Sequence, residues 1–471
     1  MFNIPEITGL DSRVGFIRIP PELDVPLTDR VRRILDAASF RRLAKISQVG
    51  FVSLVYPAAC HSRFEHSLGV YRLALLFIRR LEHLQGFADL ITQHDAELLI
   101  VSALLHDIGH WSFCHLVEDV SFAGVCSHEF LSSRYLFGGE ISDILRSDWG
   151  IEPDEVFGLL NKQLANEIDN NHTESPDNAA HQNLPQQKLA QQKLAQQKLS
   201  RNFLSCILSG PIDIDKMDYL YRDSLHAGVP YGRNIDYERL IGSLCVNGCG
   251  DGLAITEKGK TAAELMIFAR YVMFSEVYWH HTVRAASAMF QRLFGELLDN
   301  EKICLDELYG VSEAEFIHLI MRSAKGTVGE FLAEGLFGET RRLYKRVAQF
   351  GIMEQPEIYC KLAGKPYRYL QNIAERISET ILGRRWTKRA TVLIDAPPVE
   401  REIEIKIDVY FQKEKIYKPL EEISPVVRAM AKEQFDDYAK RVRIFAHPEA
   451  AQILRKDENI IKILNEILEK T

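Results

Sequence analysis

The chain has 471 residues and is 46% hydrophobic, an ordinary value for a globular protein with a packed core. Its 57 lysines and arginines and 65 aspartates and glutamates give a net charge of −8, which argues against nucleic acid as the main partner. The N-terminus lacks the pattern of a secretory signal, and the longest apolar runs are too short to span a bilayer. With eight scattered cysteines, these features lead us to expect reduced thiols, a cytoplasmic location and no membrane partner.

The first three hundred residues predict a mainly α protein. Apolar residues recur at helical spacing in several long segments, and a break is expected at Gly109. These segments are residues 27–48, 67–84, 95–106 and 261–298. We therefore expect an all-helical core built from residues 1–163 and 202–300.

The last third of the chain has a different pattern, in which charged helical segments alternate with short runs typical of strands. The strand-like runs are residues 390–397, 402–411 and 441–447. They predict a smaller α+β region over residues 301–471, in which we recognise no catalytic motif.

Residues 164–201 differ from both regions because they are polar and turn-rich, and because they end in the repeated pentamers QQKLA, QQKLA and QQKLS. The composition permits a helix. However, leucines five residues apart are rotated by roughly 140° and make no continuous apolar stripe. We therefore interpret this segment as a low-complexity surface insertion, with a partner-binding segment as the alternative.

Three clusters of polar residues can carry chemistry, and the first is HSRFEH at residues 61–66. It opens an apolar-faced helix, and a helix N-terminus attracts anions. Arg63 adds a planar guanidinium that suits phosphate oxygens. His66 lies one helical turn further on, so both side chains can face the same space. Taken alone, His66 is better explained as a structural or surface histidine.

The second cluster, HDIGHWSFCH at residues 106–115, directly follows the apolar run AELLIVSALL. Burying imidazoles and a carboxylate at the end of such a helix is costly unless something compensates them. A divalent cation accepts both types of ligand and neutralises Asp107. His110 follows His106 by one helical turn and faces the same way. A hydrogen-bonded core network is the alternative.

The third cluster is DIDKMDYLYRD at residues 213–223. On a helix, Asp215, Tyr219 and Asp223 lie near one face, with Lys216 along its edge. This mixture of carboxylates, a phenol and an ammonium suits a site for a metal, phosphates and a sugar. A salt-bridged surface helix is the alternative.

In this order and spacing, the three clusters resemble the HD-domain phosphohydrolases, and more narrowly the deoxynucleoside triphosphate triphosphohydrolases typified by dGTPases. A lone His-Asp dipeptide would be weak evidence, whereas the ordered set is specific. The likeness covers about residues 10–300 and includes FRRLAKISQVG and ARYVMFSEVYWHHTVR. Members of this family are commonly homo-oligomers, which we carry over as an expectation.

The resemblance implies that four residues bind one divalent metal (Mg, Mn, Fe, Co, Ni or Zn), namely His66, His106, Asp107 and Asp215. It also implies catalytic roles for three histidines. His110 would lie beside the α-phosphate, His115 would act as general acid toward the leaving 5′-oxygen, and His128 would be a further active-site histidine. Histidine suits acid catalysis because its pKa is close to neutral pH.

Substrate contacts are implied in the same way. Arg63 and Lys216 match residues that bind the triphosphate, and Arg270 and Tyr278 match an arginine and a tyrosine used for phosphate and sugar contacts. The residues implied at the deoxyribose are Gln48, Tyr219 and Asp223.

The implied reaction is hydrolysis of a deoxynucleoside triphosphate at the α-phosphorus, which releases a deoxynucleoside and inorganic triphosphate. An HD phosphatase or phosphodiesterase acting on another nucleotide or phosphate ester remains an alternative. So does a regulatory nucleotide-binding protein. The presence of all the implied ligands favours an enzyme.

Overall fold

The structure is a computed structural model, and it describes residues 2–12, 15–120, 122–161, 184–383, 390–398, 406–430, 440–456 and 460–470. Helices predominate, which confirms the predicted mainly α class. None of the helices in the described residues is both long enough and apolar enough to cross a membrane. All eight cysteines are free thiols.

The first 161 residues form a series of short helices around two long ones. Their bounds are Pro5–Gly9, Asp29–Asp36, Ala38–Arg41, Arg63–Leu81, Gln85–Leu90, Gln93–Leu105, Cys114–Glu118, His128–Leu131, Ser133–Leu136, Glu140–Ile144 and Pro153–Leu160. Those that complete the region predicted as core are Leu184–Ser209, Ile214–Ala227, Tyr237–Ser243, Lys260–Val272 and His281–Asp299.

The C-terminal region carries shorter helices and most of the strands. Its helices are Leu305–Tyr309, Glu313–Ala324, Glu330–Phe337, Pro356–Leu362, Tyr367–Ile377, Leu420–Ile423, Pro425–Ala429, Pro448–Leu454 and Ile460–Glu469. Three of its strands lie within the predicted strand runs, namely Val392–Asp395, Asp408–Phe411 and Val442–Ala446.

The described residues form three small sheets, and one of these sheets joins the two predicted regions. Strand Leu253–Thr256 pairs antiparallel with Leu244–Val246 and parallel with Asp408–Phe411, which pairs in turn with Ile416–Pro419. The second sheet is antiparallel, in the order Lys345–Phe350, Val442–Ala446, Val392–Asp395. The third is the hairpin Phe16–Ile19 with Leu23–Pro26. The predicted core is therefore helical apart from two short antiparallel pairs.

Helix Gln93–Leu105 lies at the centre of the core. Thr92 and Asp95 form a capping box at its start, which satisfies otherwise unpaired backbone groups. Its residues from Leu98 to Leu105 are all buried. Helix Arg63–Leu81, here called the His66 helix, packs against it and against Ile214–Ala227, here called the Asp215 helix. This packing brings the three sequence clusters together.

The repeated pentamers lie within helix Leu184–Ser209, which continues into the apolar segment that follows. The predicted division between residues 201 and 202 therefore falls inside one helix. The residues from Ala195 to Leu199 are exposed, as expected for a surface segment. The rest of the predicted insertion, residues 164–183, lies outside the described residues, and the domain limits stay a prediction.

Candidate active site

The His66 helix begins at the first cluster. Ser62 is its N-cap, with a side chain that accepts a hydrogen bond from the backbone of Glu65. Arg63 is the first helical residue and is 5% exposed, and His66 is buried one turn later. The cap therefore fixes where the helix starts, and both side chains lie on its buried side.

Four side chains converge where the three clusters meet. His66 Nε2 lies 3.2 Å from His106 Nε2 and 3.0 Å from Asp215 Oδ1. His106 Nε2 lies 3.3 Å from Asp107 Oδ1 and 3.8 Å from Asp215 Oδ1. A cation about 2.1 Å from two ligands at right angles holds those ligand atoms roughly 3 Å apart. His66, His106 and Asp107 thus have the spacing that one divalent metal requires, and Asp215 lies beside this group, near both histidines.

The outer nitrogens of both histidines are occupied by acceptors. His66 Nδ1 lies 2.8 Å from Asp218 Oδ2, and His106 Nδ1 lies 2.9 Å from the carbonyl oxygen of Ala103. When Nδ1 donates a proton to such an acceptor, the lone pair of Nε2 is available to a metal. Both imidazoles are therefore oriented as metal ligands.

Asp107 is buried, yet it is kept ionised. Burial alone would raise its pKa, but His110, His106 and Arg63 together hold the pKa of Asp107 well below its usual range. Its Oδ2 accepts a 2.8 Å hydrogen bond from Arg63 Nη1. The carboxylate is therefore ready to bind a cation without first losing a proton.

Beyond the metal-ligand group lies a second cluster of histidines. His110 Nε2 is 3.1 Å from His115 Nε2, and the rings of His110 and His128 lie 3.8 Å apart. Glu118 contacts His115 Nδ1 at 3.2 Å and His128 Nδ1 at 3.1 Å. The structure thus brings together the three histidines predicted as catalytic, with one carboxylate orienting two of them.

Two backbone features allow this arrangement. Phe113 adopts a left-handed conformation with φ of 60°, so the chain turns sharply between His110 and His115. At Gly109 the chain passes so close to the His128 carbonyl that a Cβ atom would lie 2.0 Å from its oxygen. Glycine therefore permits the approach of the segment that carries His128.

The same cluster includes Cys114, and one ligand atom each from Cys114, His110, His115 and His128 lie within 4.8 Å of one another. Burial raises the pKa of the Cys114 thiol to about 12. A thiol that stays protonated is a poor metal ligand. Cys114 is therefore a weaker candidate ligand than the histidines and the carboxylate of the His66–His106–Asp107 group.

The residues predicted at the sugar lie on another side of the N-terminus of the His66 helix. Asp223 accepts a 2.5 Å hydrogen bond from the Tyr278 hydroxyl and lies 2.8 Å from His61 Nε2. The rings of Tyr219 and Tyr278 are 6.5 Å apart. Gln48 is joined to this group through its backbone nitrogen, which donates to the His61 carbonyl at 2.9 Å.

Arg270 and Lys216 complete the set of predicted substrate residues. Burial raises the pKa of the Tyr219 hydroxyl, and the positive charge of Arg270 opposes that rise. The Lys216 ammonium donates hydrogen bonds to the Asp213 carboxylate and the Gly210 carbonyl. Lys216 therefore has to share or leave Asp213 in order to bind a phosphate.

Sequence reasoning assigned no role to several residues that shape the site. They are His61, Glu65, Glu118, Asp218 and Arg222. Asp218 and Arg222 stand four residues apart inside the third motif, which is the spacing of a helical ion pair. That spacing could have predicted the ion pair from the sequence. Glu118 follows His115 by three residues, and this spacing is weaker evidence for a contact between them.

Comparison with known families agrees with the motifs. Residues 63–221, which contain most of the three clusters, match the HD domain, and residues 235–467 match the HD associated region. The second match begins inside the region predicted as core.

Several curated relatives are similar to the chain. An uncharacterized protein of Methanocaldococcus jannaschii is 27% identical over 453 residues, which cover 94% of this chain and 82% of that protein. The deoxynucleoside triphosphate triphosphohydrolase SAMHD1 of Gallus gallus is 30% identical over 276 residues, or 56% of this chain. The matched part spans 42% of the length of the chicken enzyme.

Solved structures share the fold over almost the whole chain. A hypothetical protein from Aquifex aeolicus is 25% identical, with a TM-score of 0.66 and coverage of 94% of this chain and 98% of that one. A phosphohydrolase from Bacteroides thetaiotaomicron is 22% identical and matches with a TM-score of 0.63 over 92% of this chain and 100% of the other. The two family matches extend from residue 63 to residue 467 and identify an HD domain with its associated region in this chain, and the solved structures share its fold.

Proposed function

We propose that this protein hydrolyses deoxynucleoside triphosphates to deoxynucleosides and inorganic triphosphate with the help of one divalent metal. The observation that carries most weight is that two kinds of site lie next to each other. The metal-ligand group is linked to the Asp223–Tyr278 pair by the short segment from His61 to His66. A substrate with both phosphates and a sugar could contact the metal-ligand group and the Asp223–Tyr278 pair. A simple phosphate ester would contact only the metal-ligand group.

The metal would be held by the four converging ligands, His66, His106, Asp107 and Asp215. Two imidazoles and two carboxylates suit several divalent ions, including Mn, Fe, Co and Zn. When bound, such a cation supplies Lewis-acid catalysis and lowers the pKa of bound water. With two carboxylate ligands, the group is balanced in charge for a divalent cation.

The neighbouring residues would handle the phosphates and the protons. Arg63 offers a guanidinium beside the metal ligands, and such a group binds phosphate oxygens through paired hydrogen bonds. Water would attack the α-phosphorus and the bond to the 5′-oxygen would break. His115 would give its proton to that oxygen. Its side chain is 55% exposed, so substrate can reach it, and Glu118 steadies its other nitrogen.

At the sugar, Asp223 would accept a hydrogen bond from the deoxyribose hydroxyl while Tyr278 and His61 hold the carboxylate in place. The Tyr219 ring would pack where the 2′-hydroxyl of a ribonucleotide would lie, and so favour deoxyribonucleotides. The similarity to SAMHD1, a deoxynucleoside triphosphate triphosphohydrolase by name, supports this substrate class. A homo-oligomeric, cytoplasmic enzyme remains part of the proposal.

The direct test is product analysis. The purified protein is incubated with each deoxynucleoside triphosphate, each ribonucleoside triphosphate and an aryl phosphate, with Mg, Mn, Fe or Co supplied. Release of triphosphate from the deoxy substrates supports the proposal. Release of orthophosphate or pyrophosphate would replace it with the phosphatase or phosphodiesterase alternative. Tight nucleotide binding without turnover would favour a regulatory protein.

The metal site is tested by His106→Ala, which should abolish both bound metal and activity. His83→Ala is the matched control, because His83 is an exposed histidine just beyond the end of the His66 helix. Metal content is measured by elemental analysis after dialysis. Full metal content in His106→Ala would overturn the ligand assignment.

A further inference from the structure

Asp218 lies behind the metal site, in contact with the side of His66 that faces away from the other ligands. Its Oδ2 is 2.8 Å from His66 Nδ1, while Asp215 of the same helix lies 3.0 Å from Nε2. The Asp215 helix thus places one carboxylate at each ring nitrogen of His66. Asp218 is 5% exposed, and nothing in the proposed reaction uses its carboxylate directly.

The carboxylate of Asp218 is itself held by a buried guanidinium. Arg222 donates from Nε to Oδ2 at 2.8 Å and from Nη2 to Oδ1 at 2.7 Å. Its third nitrogen, Nη1, donates to Glu65 Oε1 at 2.6 Å. Arg222 is 1% exposed, and a buried charge of this kind is stabilised only when its partners are well aligned. The orientation of Asp218 is therefore fixed on both of its oxygens.

The network continues to the residues proposed at the sugar. Glu65 Oε1 also lies 2.9 Å from His226 Nε2, and the His226 ring is stacked on His61 at 4.3 Å. His61 in turn contacts Asp223 at 2.8 Å. Contacts therefore run without interruption from the metal ligand His66 to the sugar end of the site.

Gly69 shows how closely the two helices must approach for this contact. A Cβ atom at Gly69 would lie 1.8 Å from Asp218 Oδ1 and 2.4 Å from Arg222 Nη2. Any other residue at this position of the His66 helix would displace the Asp218–Arg222 pair. Glycine is therefore required at position 69 because a larger side chain would collide with Asp218 and Arg222.

We propose that Asp218 is a positioning residue, held by Arg222 and Glu65, which keeps His66 protonated at Nδ1 and its Nε2 directed at the metal. This inference rests on the metal site proposed above but not on the identity of the substrate. An outer carboxylate of this kind typically changes metal affinity by about 10- to 100-fold. The alternative is that the network only stabilises the fold.

Metal affinity measured without nucleotide separates these possibilities. Mn²⁺ is titrated into the metal-free full-length protein and its dissociation constant is determined for the wild type, Asp218→Asn and Glu65→Gln. We expect a loss of about 10- to 100-fold for Asp218→Asn, and a smaller loss in the same direction for Glu65→Gln. Gly69→Ala, which leaves every network residue chemically intact, should also weaken Mn²⁺ binding.

Asp395→Asn is the matched control, because Asp395 is an equally buried carboxylate that accepts hydrogen bonds from Arg284 Nε and Nη2 in another part of the fold. It should lower the melting temperature while leaving Mn²⁺ affinity unchanged. If Asp218→Asn does not fold, Glu65→Gln decides the question, since Glu65 is only half-buried.

Mn²⁺ affinities of Asp218→Asn and Glu65→Gln that both equal the wild-type value would overturn the inference. A protein that binds Mn²⁺ in an Asp218-dependent way but hydrolyses no deoxynucleotide would sink only the proposed function.

Discussion

Arg63 Nη1 donates a 2.8 Å hydrogen bond to Asp107 Oδ2, so the two oxygens of this carboxylate have different partners. The other oxygen, Oδ1, faces His106 Nε2 at 3.3 Å and His110 Nδ1 at 3.1 Å. One oxygen is therefore oriented by a fixed positive charge while the other is presented to the metal-ligand group. Arg63 also keeps nitrogens for a phosphate, because a guanidinium has five donors.

Replacing Arg63 by glutamine should reduce turnover far more than metal binding. The variant loses a charged phosphate donor, a change that typically costs about 100- to 1000-fold in rate. Three of the four proposed metal ligands have no hydrogen bond with Arg63, so we expect metal affinity to fall less than about tenfold. Single-turnover rates and Mn²⁺ titration measure the two effects. An equal loss of both would mean that Arg63 acts only through Asp107.

Glu118→Gln should slow the reaction without removing the metal. Glu118 contacts both His115 and His128, and it helps to raise the pKa of His128 against the effect of burial. Loss of this charge should misorient the proposed general acid and lower kcat by roughly 100-fold, the lower range for acid catalysis. Glu155→Gln, which breaks an exposed pair with His94, is the control and should leave kcat unchanged. Unaltered kcat in Glu118→Gln would contradict the assignment.

The stability of the metal-free protein should fall as the pH rises above neutrality. Burial opposes protonation of His66, but hydrogen bonds to Asp215 and Asp218 raise its pKa to about 10, against 6.5 when unfolded. Since the folded pKa is the higher, this stabilisation is fully present below pH 6.5 and is lost as the pH rises through about 10. Melting temperatures in the presence of a chelator measure it.

The His66→Gln variant lacks this titrating group. Its melting temperature should therefore vary less than that of the wild type over the same pH range. Equal slopes in the two proteins would show that His66 is not the titrating group. Metal ligation requires an unprotonated Nε2, so Mn²⁺ affinity of the wild type should rise with pH across this window.

Tyr278→Phe tests the sugar end of the site. The change removes the hydroxyl that donates to Asp223 at 2.5 Å, while His61 still contacts the carboxylate. A hydrogen bond of this kind contributes about 1 kcal/mol, so KM for a deoxynucleoside triphosphate should rise about fivefold with little change in kcat. Metal affinity should not change. A drop in kcat with constant KM would place Tyr278 nearer the reacting phosphorus than we propose.

The sequence by itself predicted the residues that we propose as metal ligands. Cluster order and spacing were sufficient, because His66 begins one helix, His106 ends another, and Asp215 lies in the first turn of a third. Capping residues and apolar periodicity are local properties of the sequence, so the predicted bounds of these helices are close to those in the structure. Three strands after residue 390 were also predictable from their β-branched runs, whereas Ile416–Pro419 was not predicted.

Only the tertiary structure decided how those residues are held. Asp218 lies in the same motif as Asp215, yet its contact with His66 depends on how closely two helices approach at Gly69. The stacking of His226 on His61 joins residues far apart in the chain. Local spacing determines which side chains share a helix face. Which partner each one finds depends on packing between helices, and no single stretch of sequence encodes that packing.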